Sequence, residues 1–553
     1  MNDKRFLNDK ETLVTEALEG LAALTSFDDG QQLARLDGYP YIKVITRATL
    51  DPSKVAILSG GGAGHEPAHA GFVGAGMLSG AVSGEIFASP SVEAVLAGIM
   101  AVTGDAGCLL VVKNYTGDRL NFGLAAERAR ALGKRVETVL VADDIALPGS
   151  ARPRGVAGTL FVHKIAGHLA EQGADLETIA SAARAAAADI RSLGVSLESC
   201  TIPGQPPIER LAANEGELGL GIHGEPGVEK IELGSVRTIV TLLAERLAAT
   251  LPSREARYAA LINNLGAVPT IEMSVITHEI LRSVLADRIE LVIGPAPLMT
   301  SLDMNGFSLS LLQLDALRRE ALISPCGPAA WPPARRPTPV LVRPLPVTRS
   351  QSHAPASSNP RVERALAAML DRLIAMQPEL DRLDATIGDG DTGSTLATAA
   401  RAIRSRFAEL PFASPALLLR SLADILAESM GGSSGVLLSI FCTAASQACE
   451  RELGWAAAMA AGVDRMREHG GARPGDRTMI DALVPASEVL LTSGDPARAA
   501  AAAREGAERT ASMTRAGAGR AAYLSAEVLT GVPDPGAIAV AVAMETLRDA
   551  LAK

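Results

Sequence analysis

Short apolar runs, separated by polar or glycine-rich turns and by stretches of helical periodicity, recur through the first 325 residues. Five of these runs, rich in aliphatic and β-branched residues, cover 55–58, 108–112, 136–141, 260–262 and 291–293. Runs of this length, bounded by turn signals, are typical of buried strands that alternate with helices. The pattern predicts an α/β domain over residues 1–325, divided into two subdomains and built on a largely parallel sheet.

The pattern changes after residue 325. Prolines such as Pro328, Pro337 and Pro346 interrupt any regular helix, which predicts an extended interdomain linker over 326–360. From 361 to 553 the chain is alanine-rich with repeated helical periodicity; Leu366 and Leu370, for example, fall on one helical face. Since strand signals are few there, we expect an all-α second domain.

The composition of the chain narrows the range of functions that it can have. The net charge of −10 comes without basic clusters, and aromatic residues make up only 3% of the chain, which argues against a nucleic-acid partner. The five cysteines are scattered without a CxxC pair, so a reducing cytoplasm is expected. No apolar run approaches the ~20 residues that span a bilayer, so no membrane partner is expected. A metabolic role fits these properties.

A glycine-rich segment, SGGGAGHEP at 59–67, follows the first apolar run. Its glycines allow backbone amides to approach a ligand at the carboxyl edge of a sheet. It is not a P-loop, because no Gly-Lys-Ser/Thr follows, and Pro67 stands where a dinucleotide fingerprint needs its third glycine. A tight strand-to-helix connection is the alternative, but His65, Glu66 and His69 favour a functional site.

Two further segments offer polar side chains for a substrate. Lys113 and Asp118 lie in KNYTGDR, after another predicted strand; the lysine can donate to a substrate oxygen, and the aspartate can act as a general base. A solvated polar turn is the alternative there. His223 lies in GIHGEPG, where glycines leave room for a substrate. Neutral imidazole can add to a carbonyl carbon, although a lone histidine is more often structural.

Three aspartates, Asp384, Asp389 and Asp391, precede a helix predicted to begin near Thr392. The glycines between them allow the loop to curl so that the carboxylates converge, and hard oxygen ligands suit Mg²⁺. An EF-hand is excluded because Ala400 occupies the position that needs glutamate. An acidic helix start without a metal is the alternative.

The same helix start can bind phosphates through amides and hydroxyls, at Thr392, Gly393, Ser394 and Thr395. A second turn, GGSSG at 431–435, is as consistent with a plain interhelical loop as with a phosphate site. The later turns GDRT at 475–478 and DPG at 534–536, taken singly, are typical of loops.

Together these residues resemble the ATP-dependent dihydroxyacetone (glycerone) kinase family, in which a substrate-binding domain and a nucleotide-binding domain are fused. The resemblance covers nearly the whole chain and rests on SGGGAGHEPAHAGFVG, VKNYTGDRLNFG, GIHGEPG, IGDGDTGST, MGGSSGV, GDRTMIDAL and DPGA, which occur in the family's order. One departure is Ala63, where the family usually has serine; the lost hydroxyl could alter substrate preference.

The resemblance implies a role for each motif. It makes His223 the residue that forms a hemiaminal with the substrate carbonyl, and it counts Asp118 and His65 as catalytic. The residues implied to orient the substrate hydroxyls are Gly62, Gly64, His65, Lys113 and Asp118. The residues implied to hold Mg²⁺ on ATP are Asp384, Asp389 and Asp391. Those implied to line the nucleotide site are Ser433, Ser434, Thr478, Met479, Asp534, Pro535 and Gly536. An eight-helix barrel for the second domain and a homodimer are also implied.

The expected activity is therefore ATP-dependent phosphorylation of dihydroxyacetone. Two alternatives stay within the family: a related short ketose such as erythrulose as substrate, or an additional FAD-cyclising activity. A non-enzymatic sugar sensor is an alternative of another class, but a sensor has no need for three aspartates that hold Mg²⁺ on a nucleotide. The preferred ketose is not encoded in any motif.

Overall fold

The structure is a computed structural model that describes residues 5–24, 32–38, 41–147, 153–253, 255–346 and 354–552. The chain divides into two compact units, residues 1–342 and 343–553. Within the described ranges, no helix combines the length and the apolar composition needed to cross a membrane.

The first unit is built from strands and helices in alternation, as predicted. Its described strands are β1 Leu33–Arg35, β2 Lys43–Arg47, β3 Ala56–Ala63, β4 Gly80–Ile86, β5 Cys108–Lys113, β6 Val136–Val141, β7 Ile190–Ser196, β8 Glu215–Leu218, β9 Glu229–Glu232, β10 Tyr258–Asn264, β11 Ile289–Ala296 and β12 Gly306–Gln313. Its described helices are α1 Leu13–Ala22, α2 Val92–Val102, α3 Thr116–Ala131, α4 Thr159–Glu171, α5 Leu176–Asp189, α6 Val236–Ala249, α7 Thr270–Ile280 and α8 Ala316–Ile323. All five predicted strands are present.

The strands form two six-stranded sheets, and the expectation of a largely parallel sheet holds for only part of them. In the first sheet, β1-β2-β4-β3-β5-β6, the pairs β4–β3, β3–β5 and β5–β6 are parallel. In the second, β11-β10-β12-β7-β8-β9, only β10–β11 is parallel. Helix α7 joins the parallel pair β10 and β11, whereas a loop without a helix joins the antiparallel neighbours β8 and β9.

Helices cover both faces of the first sheet, so its central strands are buried throughout. Along β3, Ile57 and Leu58 are fully buried but point to opposite faces. Ile57 packs in a core with Phe161 of α4, and Leu58 in a separate core with Phe122 of α3. Burying one such side chain contributes about 1.5–3 kcal/mol. Both cores fix the position of the glycine-rich carboxyl end of β3.

The proline-rich stretch 326–360 is partly packed on the first unit. The Gly327 amide donates to the Ala75 carbonyl at 2.8 Å, and the Trp331 ring lies 6.4 Å from that of Phe72. Arg335 pairs with Val292 of β11 through an isolated bridge. Residues 327–335 therefore complete the first unit, and the division between units falls later in the stretch, after residue 342.

The second unit is helical throughout its described residues. Its helices are α9 Pro360–Ala375, α10 Gln377–Ile387, α11 Thr392–Ser405, α12 Pro415–Ser429, α13 Gly432–Glu450, α14 Gly454–Gly470, α15 Ile480–Ser493, α16 Pro496–Arg509, α17 Ala526–Leu529 and α18 Pro535–Ala552. Helix α11 begins at Thr392, as predicted, and Leu366 and Leu370 of α9 are buried.

The long helices close into a ring. Each of α11, α12, α13, α14, α15, α16, α18 and α9 packs against the next in that order, and α9 returns to α11. Helix α10 packs against α11 and α18, beside the ring. The eight-membered ring is the helical barrel expected from the resemblance. It encloses a cavity of ≈ 1890 Å³.

Candidate functional site

A cluster of polar side chains, called the pocket below, lies at the carboxyl ends of β3 and β5 in the first unit. The glycine-rich segment ends β3, and Lys113 ends β5. Loops of the second sheet close over this edge: the Leu302 amide donates to the Gly64 carbonyl at 2.8 Å, and the Thr300 amide donates to the His65 carbonyl at 3.2 Å. The carboxyl edge of an α/β sheet is the usual position of a ligand site.

At two positions of the glycine-rich segment, neighbouring atoms lie too close for any residue other than glycine. A Cβ at Gly62 would lie 2.7 Å from the backbone nitrogen of Ala88, and a Cβ at Gly64 would lie 2.8 Å from the Phe87 ring. Gly64 also has φ +97°, a left-handed conformation that favours glycine. Phe87 itself has φ +56°, which turns its ring toward the pocket histidines. The glycine backbone and the Phe87 ring can therefore lie in contact, because no side chain separates them.

His65 is fully buried with one ring nitrogen free. Its Nδ1 lies 2.9 Å from the Thr300 carbonyl oxygen, which can only accept, so Nδ1 carries the hydrogen and Nε2 carries a lone pair. Nε2 has no partner among the described residues. Burial, together with the charges of Lys113 and His223, holds the pKa of His65 well below its ordinary value. Neutral His65 can therefore accept a proton from a ligand.

Lys113 and Asp118 lie together beside Gly61. A Cβ at Gly61 would lie 2.4 Å from Lys113 Nζ and 3.5 Å from Asp118 Oδ2. Burial lowers the pKa of Lys113, and the negative charge of Asp118 acts to raise it. Asp118, in the first turn of α3, accepts a hydrogen bond from Ser89 Oγ at 2.5 Å. The pair provides one cationic donor and one anionic acceptor in a buried pocket.

His223 projects from the loop after β8 into the same pocket. Its ring centroid lies 5.0 Å from His65, 5.4 Å from Phe87 and 4.4 Å from Tyr115. Glu225 binds it twice: Oε2 accepts from the His223 amide at 2.8 Å, and Oε1 lies 3.5 Å from Nδ1. A carboxylate beside Nδ1 keeps the hydrogen on that nitrogen and leaves Nε2 as the nucleophile.

The carboxyl group of Glu225 is strongly acidic. Burial acts to raise its pKa, but the hydrogen bond from His223 and the charge of that histidine outweigh burial and hold the pKa of Glu225 at about 2. The structure thus brings His65, Lys113, Asp118 and His223 to one pocket with the glycine segment. The sequence reasoning missed Glu225; its signal was the spacing of two from His223 in GIHGEPG.

Ala63, the departure from the family pattern, lies at the end of β3 and is buried among apolar side chains. Its carbonyl accepts a hydrogen bond from the Phe87 amide at 2.9 Å. The backbone contact made at this position does not depend on the side chain.

The three aspartates of the second unit converge. Oxygens of Asp384, Asp389 and Asp391 lie within 4.8 Å of one another. Asp384 is buried, and its Oδ2 also accepts from the amides of Asp391 and Thr392, at 2.9 and 3.2 Å. A Cβ at Gly388 would lie 2.4 Å from Asp384 Oδ1, so only glycine fits there. Three carboxylates on a loop of this kind fit a hard divalent cation such as Mg²⁺.

The barrel cavity brings most of the predicted nucleotide residues to one surface. Those that line it are Asp384, Asp389, Asp391, Thr392, Thr395, Ser434, Thr478, Met479, Asp534, Pro535 and Gly536. Ser433 is in the first turn of α13, and its side chain is outside the described part of the structure.

Gly393 and Ser394 are not part of this lining. A Cβ at Gly393 would lie 2.2 Å from the Gln377 carbonyl oxygen, so this glycine allows α10 and α11 to approach closely. The Ser394 hydroxyl donates to Asp381 Oδ2 at 2.7 Å, and its amide donates to Oδ1. These contacts hold the two helices together at the start of α11.

Two arginines that were not selected from the sequence, Arg477 and Arg520, also line the cavity, near the predicted Asp389 and Asp534. Arg477 is buried, and its Nε and Nη1 have no partner among the described residues. Burial raises the pKa of Asp534 to about 6. Arg520 forms an ion pair with Asp389. The cavity thus contains cations as well as carboxylates, which suits a ligand that brings phosphates and a metal ion.

Comparison with known proteins agrees with both units. The family model described as the Dak1 domain matches residues 30–330, and that of the DAK2 domain matches residues 386–549. The chain is 46% identical to a dihydroxyacetone kinase of Citrobacter freundii, over 98% of this chain and 99% of that protein. It is 40% identical to the triokinase/FMN cyclase of Homo sapiens, over the full length of both.

A solved structure is similar over the whole length. The crystal structure of the dihydroxyacetone kinase from C. freundii in complex with AMP-PNP and Mg²⁺ has a TM-score of 0.72 to this chain and 44% sequence identity. The match covers 99% of each chain. Both the α/β unit and the helical unit described above are therefore shared with that protein.

Proposed function

Because the chain belongs to the dihydroxyacetone kinase family, we propose that it transfers the γ-phosphoryl group of ATP to a hydroxyl of dihydroxyacetone held covalently by His223. The observation that carries this proposal is the setting of His223. Its ring lies among His65, Phe87 and Tyr115, with a carboxylate at Nδ1, at the glycine-rich edge of the sheet.

The covalent step follows from the position of the His223 hydrogen on Nδ1, which leaves a lone pair on Nε2. The Nε2 lone pair of His223 adds to the carbonyl carbon, and the C=O π electrons move to the oxygen, which takes up a proton. Overall one proton is taken up from solvent, and the imidazolium formed in this way keeps its Nδ1 hydrogen in an ion pair with Glu225. Glu225 faces Nδ1 and stabilises the positive charge as it develops.

The other pocket residues orient and activate the bound ketose. Lys113 can donate to a substrate oxygen, while the amides around Gly62 and Gly64 lie close enough to contact it. Asp118 or His65 Nε2 accepts the proton of the hydroxyl that attacks the γ-phosphate. Both acceptors are buried, which excludes competing water.

The second unit is proposed to bind ATP. Asp384, Asp389 and Asp391 would hold Mg²⁺, which when bound neutralises charge on the phosphates. The cavity-lining residues at the starts of α11, α13 and α18, and Thr478 with Met479, would contact the nucleotide. The lining by amides, hydroxyls and arginines supports this assignment.

The test is a coupled kinase assay over dihydroxyacetone, glyceraldehyde, erythrulose and glycerol at saturating ATP and Mg²⁺. Turnover of the carbonyl compounds with very poor use of glycerol is the expected result, because only a carbonyl can be anchored by His223. Erythrulose remains the alternative substrate, and its kcat/KM relative to dihydroxyacetone decides between them. Equal use of glycerol and dihydroxyacetone would contradict a covalent anchor.

A second activity is suggested by one relative. The human protein that is 40% identical over its whole length is named a triokinase/FMN cyclase. Incubation of this protein with FAD and a divalent cation, followed by chromatography, tests whether a cyclic flavin phosphate is released. Asp389→Asn should abolish that release along with kinase activity if both use one metal site.

Assembly and location complete the proposal. A homodimer is expected from the family resemblance, and light scattering on the full-length protein measures its mass directly. A cytoplasmic location, expected from the cysteine usage, is tested by fractionation of the source cells. Neither property enters the chemistry proposed above.

A further inference from the structure

Behind Lys113, at the start of the glycine-rich segment, lies a row of buried polar side chains that the proposed chemistry does not use. Lys113 Nζ lies 2.7 Å from His69 Nε2. On the other side of that ring, His69 Nδ1 lies 3.5 Å from Ser59 Oγ, which also lies 3.1 Å from His163 Nε2. All four residues are buried, with exposures of 4% for His69 and 0% for the others.

One backbone carbonyl determines which atoms carry the hydrogens in this row of side chains. Ser59 Oγ lies 2.7 Å from the Val111 carbonyl oxygen, which can only accept, so the serine hydroxyl donates its single hydrogen there. Ser59 Oγ must then accept from both histidines. His69 therefore carries its hydrogen on Nδ1, and its Nε2 lone pair faces Lys113.

We propose that His69 is a positioning residue of the kinase reaction, whose Nε2 lone pair holds Lys113 as an ammonium aimed at the substrate oxygen. A lysine needs such an acceptor because, when buried, it is otherwise free to lose its proton or to change rotamer. The inference deepens the proposed function and rests on it, since it gives Lys113 the substrate-binding role described above.

The charges around Lys113 explain why a neutral acceptor matters. The titratable groups that face it are Asp118, His65, His69 and His163. Burial lowers the pKa of each of the three histidines, so all are neutral. Burial also lowers the pKa of Lys113, which only Asp118 opposes by charge. The hydrogen bond to His69 adds a second stabilisation of the charged form.

Two substitutions separate the acceptor from the bulk of the ring. In His69→Gln the side-chain amide reaches the position of Nε2 and can accept from Lys113. In His69→Asn the amide reaches only the position of Nδ1, so the contact with Ser59 can persist while the acceptor for Lys113 is lost. The pair therefore tests one hydrogen bond at nearly constant polarity.

The experiment measures dihydroxyacetone affinity without ATP, by calorimetry, and kcat/KM with ATP, each between pH 6 and 10. Losing the acceptor lowers the pKa of Lys113, so the alkaline limb of both profiles should move down by about one pH unit in His69→Asn. In His69→Gln both profiles should follow the wild type. His168→Asn, at a buried histidine outside the pocket, is the matched control and should leave both profiles unchanged.

Alkaline limbs that stay in place in His69→Asn, or that move equally in His69→Gln, would overturn the inference. Should His69→Asn fail to fold, His69→Leu tests the same point. Leucine fills the apolar space but offers no acceptor to Lys113, so a downward shift is again expected, and an unchanged limb overturns the inference. Binding without phosphoryl transfer in the wild type would instead count against the proposed kinase function, while the binding profiles would still decide the role of His69.

Discussion

Replacing Glu225 by glutamine tests how His223 is prepared for attack on a carbonyl. Glutamine keeps the size of the side chain, and its oxygen can still accept from the His223 amide. Its NH₂ group would then face Nδ1, where it favours the tautomer with hydrogen on Nε2. We therefore expect Glu225→Gln to remove the carboxylate that stabilises positive charge on His223, and also the lone pair on His223 Nε2 that attacks the carbonyl carbon.

The size of the expected loss of ketone affinity follows from the pKa of the Glu225 carboxyl group. Its pKa of about 2, against an ordinary 4.5, corresponds to about 3 kcal/mol of preference for the ionised form beside His223. The side chain is 35% exposed, so solvent screening reduces this to about 1–2 kcal/mol. Dihydroxyacetone should therefore bind about 5- to 30-fold more weakly to Glu225→Gln.

The assay is calorimetric titration with dihydroxyacetone at pH 7.5, beside Glu229→Gln as a control. Glu229 is an exposed glutamate of the same unit that pairs with Arg246, so its loss should not affect ketose affinity. Since the pKa of Glu225 is held at about 2, its contribution to stability is present above pH 4.5 and is lost only as the pH falls through 2. Wild-type affinity in Glu225→Gln would refute the role given to this carboxylate.

Three further outcomes are expected. Asp389→Asn should lower kcat at ordinary Mg²⁺ by at least about 100-fold yet leave dihydroxyacetone affinity unchanged. The reason is that the metal ligands and the ketone pocket lie in different units, and kinetics and calorimetry on one preparation measure both quantities. His223→Ala should weaken dihydroxyacetone binding and reduce turnover without changing the KM for ATP, as steady-state kinetics would show. Asp534→Asn should stabilise the second unit by up to about 3 kcal/mol at pH 8 and by nothing at pH 3.5. The folded pKa of Asp534, about 6, lies above its ordinary value of 3.8, so the cost of the buried charge grows as the pH rises between these two values. Calorimetry of the full chain at both pH values measures the gain, and equal gains at both would exclude the charge as the cause.

The strands and helices were predictable because local pattern encodes them. The five apolar runs are strands in the structure, and α11, predicted to begin near Thr392, begins at that residue. Strand direction was not predictable, because an apolar run reads the same whichever way its neighbour runs. The second sheet is mostly antiparallel because β8 and β9 are joined by a loop without a helix, and because β12 pairs antiparallel with β7 and β10, to which no direct connection joins it.

The pocket was predictable where glycines and polar residues share a motif. Phe87 and Tyr115 were missed as neighbours of His223 because they come from separate loops that only tertiary packing unites. For Ser394 the phosphate contact stays a prediction, and tertiary packing adds a contact that the sequence did not indicate, the hydrogen bond from its hydroxyl to Asp381 of the preceding helix.

The covalent anchor is tested most directly by a crystal of this protein soaked with dihydroxyacetone. The account predicts continuous density of bond length between His223 Nε2 and the former carbonyl carbon, which should be tetrahedral, with Glu225 facing Nδ1. A planar, unattached ketone lying beside His223 in a fully occupied pocket would contradict it.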